Sequence, residues 1–225
     1  MDPDAYQFHT VPNTAANQFK GQLLASDQVS VQDVELVWRE LEKTLDAGTP
    51  GDIVEFGCYV GTTSLFIRRL LDTRGQSDAR QFHVYDSFSG LPDKLPQDQS
   101  AAGVDFQGGK LSVSKKEFLR QFQTARLTPP VVHKGWFNEL TAADVPSQIA
   151  FAFLDGDFYE SILQSLQLVW PRMAPGGTVL IDDYGRAALP GVERAIHDYF
   201  QGKMPPLRSA HNIAVIYTGA GPGRQ

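Results

Sequence analysis

Apolar positions recur every three to four residues between 29 and 45, where Val31, Val34, Val37, Trp38, Leu41 and Leu45 form one stripe of a predicted helix. Ser30 and Asp33 stand ahead of it at capping-box spacing. After the turn cluster DAGTPGD the pattern changes to a short buried run, DIVEF at 52–56, and then back to helical period in TSLFIRRLLD. The same exchange recurs down the chain. QFHVY (81–85), VVHK (131–134), IAFAFL (149–154) and GTVLI (177–181) read as strands. SKKEFLRQF, with Ser114 and Glu117 at capping-box spacing, and SILQSLQLVWPRM and GVERAIHDYF read as the intervening helices. NIAVIYT (212–218) is expected to close the fold as its last strand.

Strands alternating with helices predict a single α/β domain, a mostly parallel, doubly wound Rossmann-like sheet covered on both faces. Two stretches break the alternation. Residues 1–28 carry aromatic and polar residues without period, and 87–113 is rich in Gly, Pro, Asp and Gln. Long irregular segments in compact domains are usually functional or disordered, and both are candidates for a lid over an acceptor site. No repeat and no interdomain linker is visible.

Composition adds exclusions. With 42% hydrophobic and 20% charged residues the chain is globular, and a net charge of −6 disfavours a duplex nucleic-acid partner. The opening MDPDAYQFHTVPNT has no basic or apolar signal region, and no apolar run reaches membrane-spanning length; the expectation is a soluble, cytoplasmic protein. Cys58 is the only cysteine and the five histidines lack ligand spacing, which argues against disulfides and zinc.

In open α/β sheets ligands sit beyond the carboxyl ends of the strands. The first such end is VEFGCYVGTTS, residues 54–64, whose Gly57 and Gly61 are spaced G-x-x-x-G rather than the G-x-G-x-x-G of dinucleotide folds. Glu55 at its mouth would repel phosphate but pair with a cationic amine, and Asp86, after the second strand, is placed to chelate ribose hydroxyls. A nucleoside with a positive, phosphate-free tail fits both, and S-adenosylmethionine is such a molecule. A glycine turn that only packs a helix on a strand is the alternative. Tyr59, Thr63, Ser64 and Ser87 are candidate hydrogen-bond partners for this cofactor or else helix caps, and Trp136 either flanks its adenine or packs in the core. His197 and the pair Arg68-Arg69 read as structural and as solvated surface.

Two further motifs carry acids. FLDGDFYES (153–161) sets Asp155 and Asp157 one residue apart, which by itself is an ordinary strand-to-helix cap. IDDY (181–184) sets Asp182 and Asp183 at the end of the next strand, and adjacent parallel strands are about 4.8 Å apart. Asp155, Asp182 and Asp183 are therefore expected to converge beside the cofactor, with Asp155 bordering it. A hard divalent cation, Mg²⁺, would relieve their repulsion.

VEFGCYVGTTS, VYDSFSGLP, KGWF, FLDGDFYES, APGGTVLIDDYG and LPGVERAIHDYF, in this order over residues 50–201, resemble the macrocin O-methyltransferase family. Its members are metal-dependent class I methyltransferases that modify sugar hydroxyls of macrolides, with relatives acting on aminocoumarin sugars. The resemblance implies Asp155, Asp182 and Asp183 as metal ligands and Asp157 as general base. It implies a small hydroxylated acceptor, a sugar or a phenol. Catechol and caffeoyl-CoA O-methyltransferases share the turn and the acids but use a Lys where this chain has Phe158. Cephalosporin hydroxylases keep the fold with other chemistry. A nicotinamide oxidoreductase and a non-catalytic cofactor-binding protein are the remaining rivals, and a homodimer is the default assembly.

Overall fold

The computed structural model describes Ser26 and residues 28–219. Five α-helices and seven strands are formed, six of the strands where the pattern places them. They run α1 (Val31–Asp46), β1 (Asp52–Phe56), α2 (Thr62–Thr73), β2 (Phe82–Asp86), α3 (Lys115–Ala125), β3 (Val131–Lys134), β4 (Ile149–Leu154), α4 (Tyr159–Val169), β5 (Met173–Ile181), α5 (Pro190–Phe200), β6 (Leu207–Ala210) and β7 (Ile213–Tyr217). Both predicted capping boxes form: Asp33 N–H donates to Ser30 Oγ at 3.2 Å, and Glu117 N–H to Ser114 Oγ at 3.2 Å, each acid in turn accepting the N–H of the cap residue.

One sheet results, in the order β3-β2-β1-β4-β5-β7-β6. The first five strands in sequence pair in parallel, while β7 runs antiparallel to both β5 and β6. Central β4 is buried at every position because helices lie on both faces. Neighbouring residues of a strand feed opposite cores: Ile53 and Phe153 pack beneath α1, α2 and α3, Val54 and Leu154 beneath α4 and α5. Strand order reverses between β1 and β4, which opens a crevice at their carboxyl ends.

Four expectations change. LRSA at 207–210 carries no strand signal, yet it forms β6 by pairing with β7 through a two-residue turn. That turn is His211-Asn212 with φ of 53° and 61°, the left-handed pair that a tight hairpin requires. The helix expected to run to Met173 stops at Val169; a 3₁₀ turn through Pro171 follows, and β5 begins four residues before the predicted Gly177. Arg68 is not solvated: it is 5% exposed, its guanidinium 5.8 Å from the Phe82 ring, because α2 is enclosed around most of its circumference.

The stretch 87–113 is fastened down rather than loose. Asp98, 1% exposed, accepts the Tyr159 N–H at 2.7 Å and the Leu95 N–H at 3.1 Å, and Leu91 exchanges backbone bonds with Lys110 and Gly109. It forms a fixed cover beside the crevice. Most of 1–28 lies outside the described residues. No helix among them is long and apolar enough to cross a membrane.

The far edge of the sheet is joined to α1 by Glu40, whose side chain is wholly buried. It accepts from Tyr217 Oη at 2.7 Å and Lys43 Nζ at 3.0 Å, and Arg208 Nη2 lies at 2.6 Å. Burial alone would raise its pKa, but the bonds from Tyr217, Lys43, Arg208 and Arg39 outweigh that and bring it from 4.5 down to about 2. A depressed carboxylate pKa stabilises the fold above the unfolded value and loses that contribution as pH falls toward the folded one. Glu40→Gln is therefore expected to cost about 2 kcal/mol near neutrality, by urea unfolding. The difference from wild type should shrink between about pH 4.5 and pH 2.

Candidate active site

The crevice is built by the ends of the five parallel strands. After Phe56 the chain turns through Gly57 (φ 87°), Tyr59 (φ 46°) and Gly61 (φ 91°) into α2. Gly57 is demanded by contact: a Cβ there would stand 1.9 Å from the Asp155 carbonyl oxygen. A Cβ on Gly61 would stand 2.8 Å from the Phe118 ring, so Gly61 packs α2 against α3 and is not on the cleft wall. Asp86 holds the turn in place, accepting the N–H groups of Cys58 at 2.8 Å, Tyr59 at 3.3 Å and Phe88 at 2.7 Å. Ser87 closes its own turn, accepting from Ser89 N–H and donating to the Gly90 carbonyl.

Beneath the turn lies Glu55, 1% exposed, with the buried Ser64 hydroxyl donating to it. Ser64 thus reaches the cleft only through Glu55. Burial drives the Glu55 pKa up from 4.5 to about 8, against the Ser64 bond and with help from Asp86. Thr63 lines the cleft as expected, and so does its neighbour Thr62, whose buried hydroxyl has no partner among the described residues. Trp136 and Phe137, after β3, form a half-buried aromatic wall.

On the opposite side the DGD turn does not cap α4. Phe158 is the N-cap and makes no side-chain cap bond; the Tyr159 N–H goes to Asp98 of the cover. Asp155 and Asp157 are left free of that duty. Asp157 has φ 58° and Asp183 φ 59°, left-handed conformations unusual for residues with side chains and of the kind that collect at functional sites. Between the acids, a Cβ on Gly156 would lie 2.8 Å from Ser161 Cβ.

These turns bring oxygens of Asp155, Asp157 and Asp183 within 4.8 Å of one another. Asp182, expected in that set, lines the same cleft with its Oδ1 accepting the Asp183 N–H at 2.9 Å. Burial holds all four carboxyls up, and repulsion from their neighbours in the set adds to it for Asp155, Asp157 and Asp182: Asp155 and Asp157 stand well above the usual range, Asp183 is raised, and Asp182 is at about 8. Arg186, which the sequence reading passed over, opposes this by donating Nη1–H to Asp183 Oδ1 at 2.6 Å. A cluster of oxygen donors that repel one another in a cleft is the donor set of a hard divalent cation, and these residues fit Mg²⁺. The cleft, of about 990 Å³ including its open mouth, continues past Tyr59, Asp86 and Trp136 to Ser26, Gln28 and the cover residues Leu91 and Phe106.

The seven-stranded sheet with this crevice is the architecture of class I methyltransferases. It superposes on the structure of the O-methyltransferase NovP with a TM-score of 0.73 at 26% identity, covering 85% of this chain and 81% of that one. Calicheamicin methyltransferase CalS11 shares the fold with a TM-score of 0.70 at 23% identity over 83% of this chain and 78% of that one.

Residues 25–218 match the family described as Macrocin-O-methyltransferase (TylF), and the chain belongs to that family. It is 35% identical over 165 residues to the 8-demethyl-8-(2,3-dimethoxy-α-L-rhamnosyl)-tetracenomycin-C 4′-O-methyltransferase of Streptomyces olivaceus, covering 71% of this chain and 61% of the relative. It is 29% identical to the demethyldecarbamoylnovobiocin O-methyltransferase of Streptomyces niveus over 78% of this chain and 68% of the relative. The alignments thus span roughly three fifths to two thirds of the length of these curated relatives.

Gly57→Ala tests the construction of the site. Its Cβ must displace the Asp155 backbone at a left-handed position, and the expected loss is about 2–4 kcal/mol of stability, read from thermal and urea melts.

Proposed function

We propose that the protein is a Mg²⁺-dependent O-methyltransferase that moves the methyl group of S-adenosylmethionine to a hydroxyl of a glycosylated natural product. The observation that carries the reading is the group of carboxylates from Asp155, Asp157 and Asp183 lying beside the Glu55 turn. Family membership supports the reaction, and the substrates in the names of the relatives, a rhamnosyl-tetracenomycin and demethyldecarbamoylnovobiocin, support a glycosylated acceptor.

Each side chain then has a task. Glu55 would pair with the cationic tail of the cofactor and Thr62 and Thr63 would donate to its carboxylate, while Asp86 at the end of β2 would accept from the ribose. Trp136 would flank the adenine and Tyr59 and Ser87 border the same path. Asp155, Asp182 and Asp183 would hold the metal, which when bound lowers the pKa of the acceptor hydroxyl. Asp157, its pKa raised by burial and then by the neighbouring acids, is the proton acceptor. The acceptor oxygen forms its bond to the methyl carbon as the carbon–sulfur bond breaks, and the proton ends on Asp157. Trp136, Phe137 and the segment around Ser26 and Gln28 would keep water from the transfer.

The test is calorimetric binding of S-adenosylmethionine followed by transfer to a panel of glycosides and phenols, with Mg²⁺ and with excess chelator. Binding and metal-dependent transfer to a glycoside are expected; cofactor binding without transfer to any acceptor in either condition would sink the proposal. Asp157→Asn should reduce kcat by at least about 100-fold while keeping metal and cofactor affinity, whereas Asp182→Asn should lose metal affinity first. Metal loss in Asp157→Asn would instead move Asp157 into the ligand set.

Glu55 gives a pH signature. With a pKa of about 8 it is mostly protonated at pH 7 in the empty cleft, and a cationic ligand favours its ionised form. At saturating Mg²⁺, cofactor binding at pH 7 should release close to one proton and tighten with pH until about 8. Glu55→Gln should remove that proton, measured by calorimetry in buffers of different ionisation enthalpy.

A further inference from the structure

Glu55, Asp86, Asp155, Asp157, Asp182 and Asp183 all line the cleft, and Arg186 is the one Lys or Arg among the described residues lining it. Its guanidinium is half-exposed and bridges two parts of the site. Nη1 donates to Asp183 Oδ1 at 2.6 Å, and Cζ lies 5.4 Å from the ring of Phe106 in the cover. The backbone behind it is fixed, since Arg186 N–H donates to the Asp183 carbonyl at 3.1 Å and Leu189 N–H to the Arg186 carbonyl at 2.9 Å. Ser100 of the cover also donates to the Ala187 carbonyl in the same turn, at 2.6 Å. Only the side chain is left to move.

We propose that Arg186 is a positioning residue that acts as the site's internal counter-cation: it occupies Asp183 ahead of the divalent ion, competes with the ion for that carboxylate, and through Phe106 ties metal occupancy to the cover. The inference rests on the metal reading given above. A guanidinium and a divalent cation at one carboxylate repel each other across a short distance of low-dielectric cleft. Metal binding therefore weakens the Asp183 contact, and the guanidinium swings toward solvent. The Phe106 contact goes with it.

Mn²⁺ serves as probe, with free ion counted by electron paramagnetic resonance. Relative to wild type, Arg186→Met and Arg186→Gln should each bind Mn²⁺ about tenfold more tightly, because the competing charge is gone, while Arg186→Lys stays within about threefold. Tightening is diagnostic, since structural damage loosens a site. Trypsin cleavage after Lys110 should be accelerated by Mn²⁺ in wild type and be fast with or without it in Arg186→Met. Unchanged or weaker Mn²⁺ binding in both neutral variants overturns the proposal and leaves the metal reading standing. Absence of Mn²⁺ binding in every protein overturns both, and wild-type cleavage indifferent to Mn²⁺ overturns the tie to the cover.

Discussion

Repulsion among carboxylates at the ends of β4 and β5 is the constraint around which the cleft is arranged. Asp155, Asp157, Asp182 and Asp183 all carry raised pKa values, with burial the largest cause of each and a neighbouring acid the next for all but Asp183. Asp183 differs because Arg186 answers it directly. A fold does not gather such a set for its own stability, because an apolar replacement at a buried ionic site is commonly neutral or better. The arrangement makes sense if cations arrive from outside.

The backbone shows the same bias. Asp157 and Asp183 adopt left-handed φ values two residues and one residue after positions that continue the sheet ladder, where Asp155 N–H donates to the Phe56 carbonyl and Asp182 N–H to the Leu154 carbonyl. The strands thus run on for one residue past their regular ends, and the chain then reverses sharply. Those reversals bring oxygens of Asp157 and Asp183 to within 4.8 Å of Asp155. Gly57 permits it from the other side, since the Asp155 carbonyl fills the space a Cβ would need.

What the sequence discloses follows from how far each feature depends on local pattern. The central strands are legible because two-sided burial makes them continuous apolar runs, as in IAFAFL. LRSA is not, because an edge strand needs apolar residues on one face at most, and only its His-Asn turn betrays it. The acids were legible as a group, since Asp-x-Asp and Asp-Asp end adjacent strands. Which of them meet was not: convergence of Asp157 rather than Asp182 with Asp155 and Asp183 depends on φ at Asp157. Thr62 was missed beside Thr63 because which threonines face the cleft depends on the residue where α2 begins. Arg186 was missed because its partner is chosen by the path of a turn.

The cover draws these parts into one mechanical unit. Asp98 caps α4 by accepting the Tyr159 N–H, two residues after Asp157, so the start of that helix is held by the cover and not by the DGD turn itself. Ser100 and Phe106 touch the turn after β5, where Asp183 and Arg186 sit. A Cβ on Gly191 at the start of α5 would stand 1.9 Å from Asp98 Oδ1, so that helix too is fitted against the same carboxylate. The cover and the turns that carry the acids therefore share one set of contacts. The segment least regular in sequence fixes the geometry of the motifs that are most readable, and it does so through one buried aspartate.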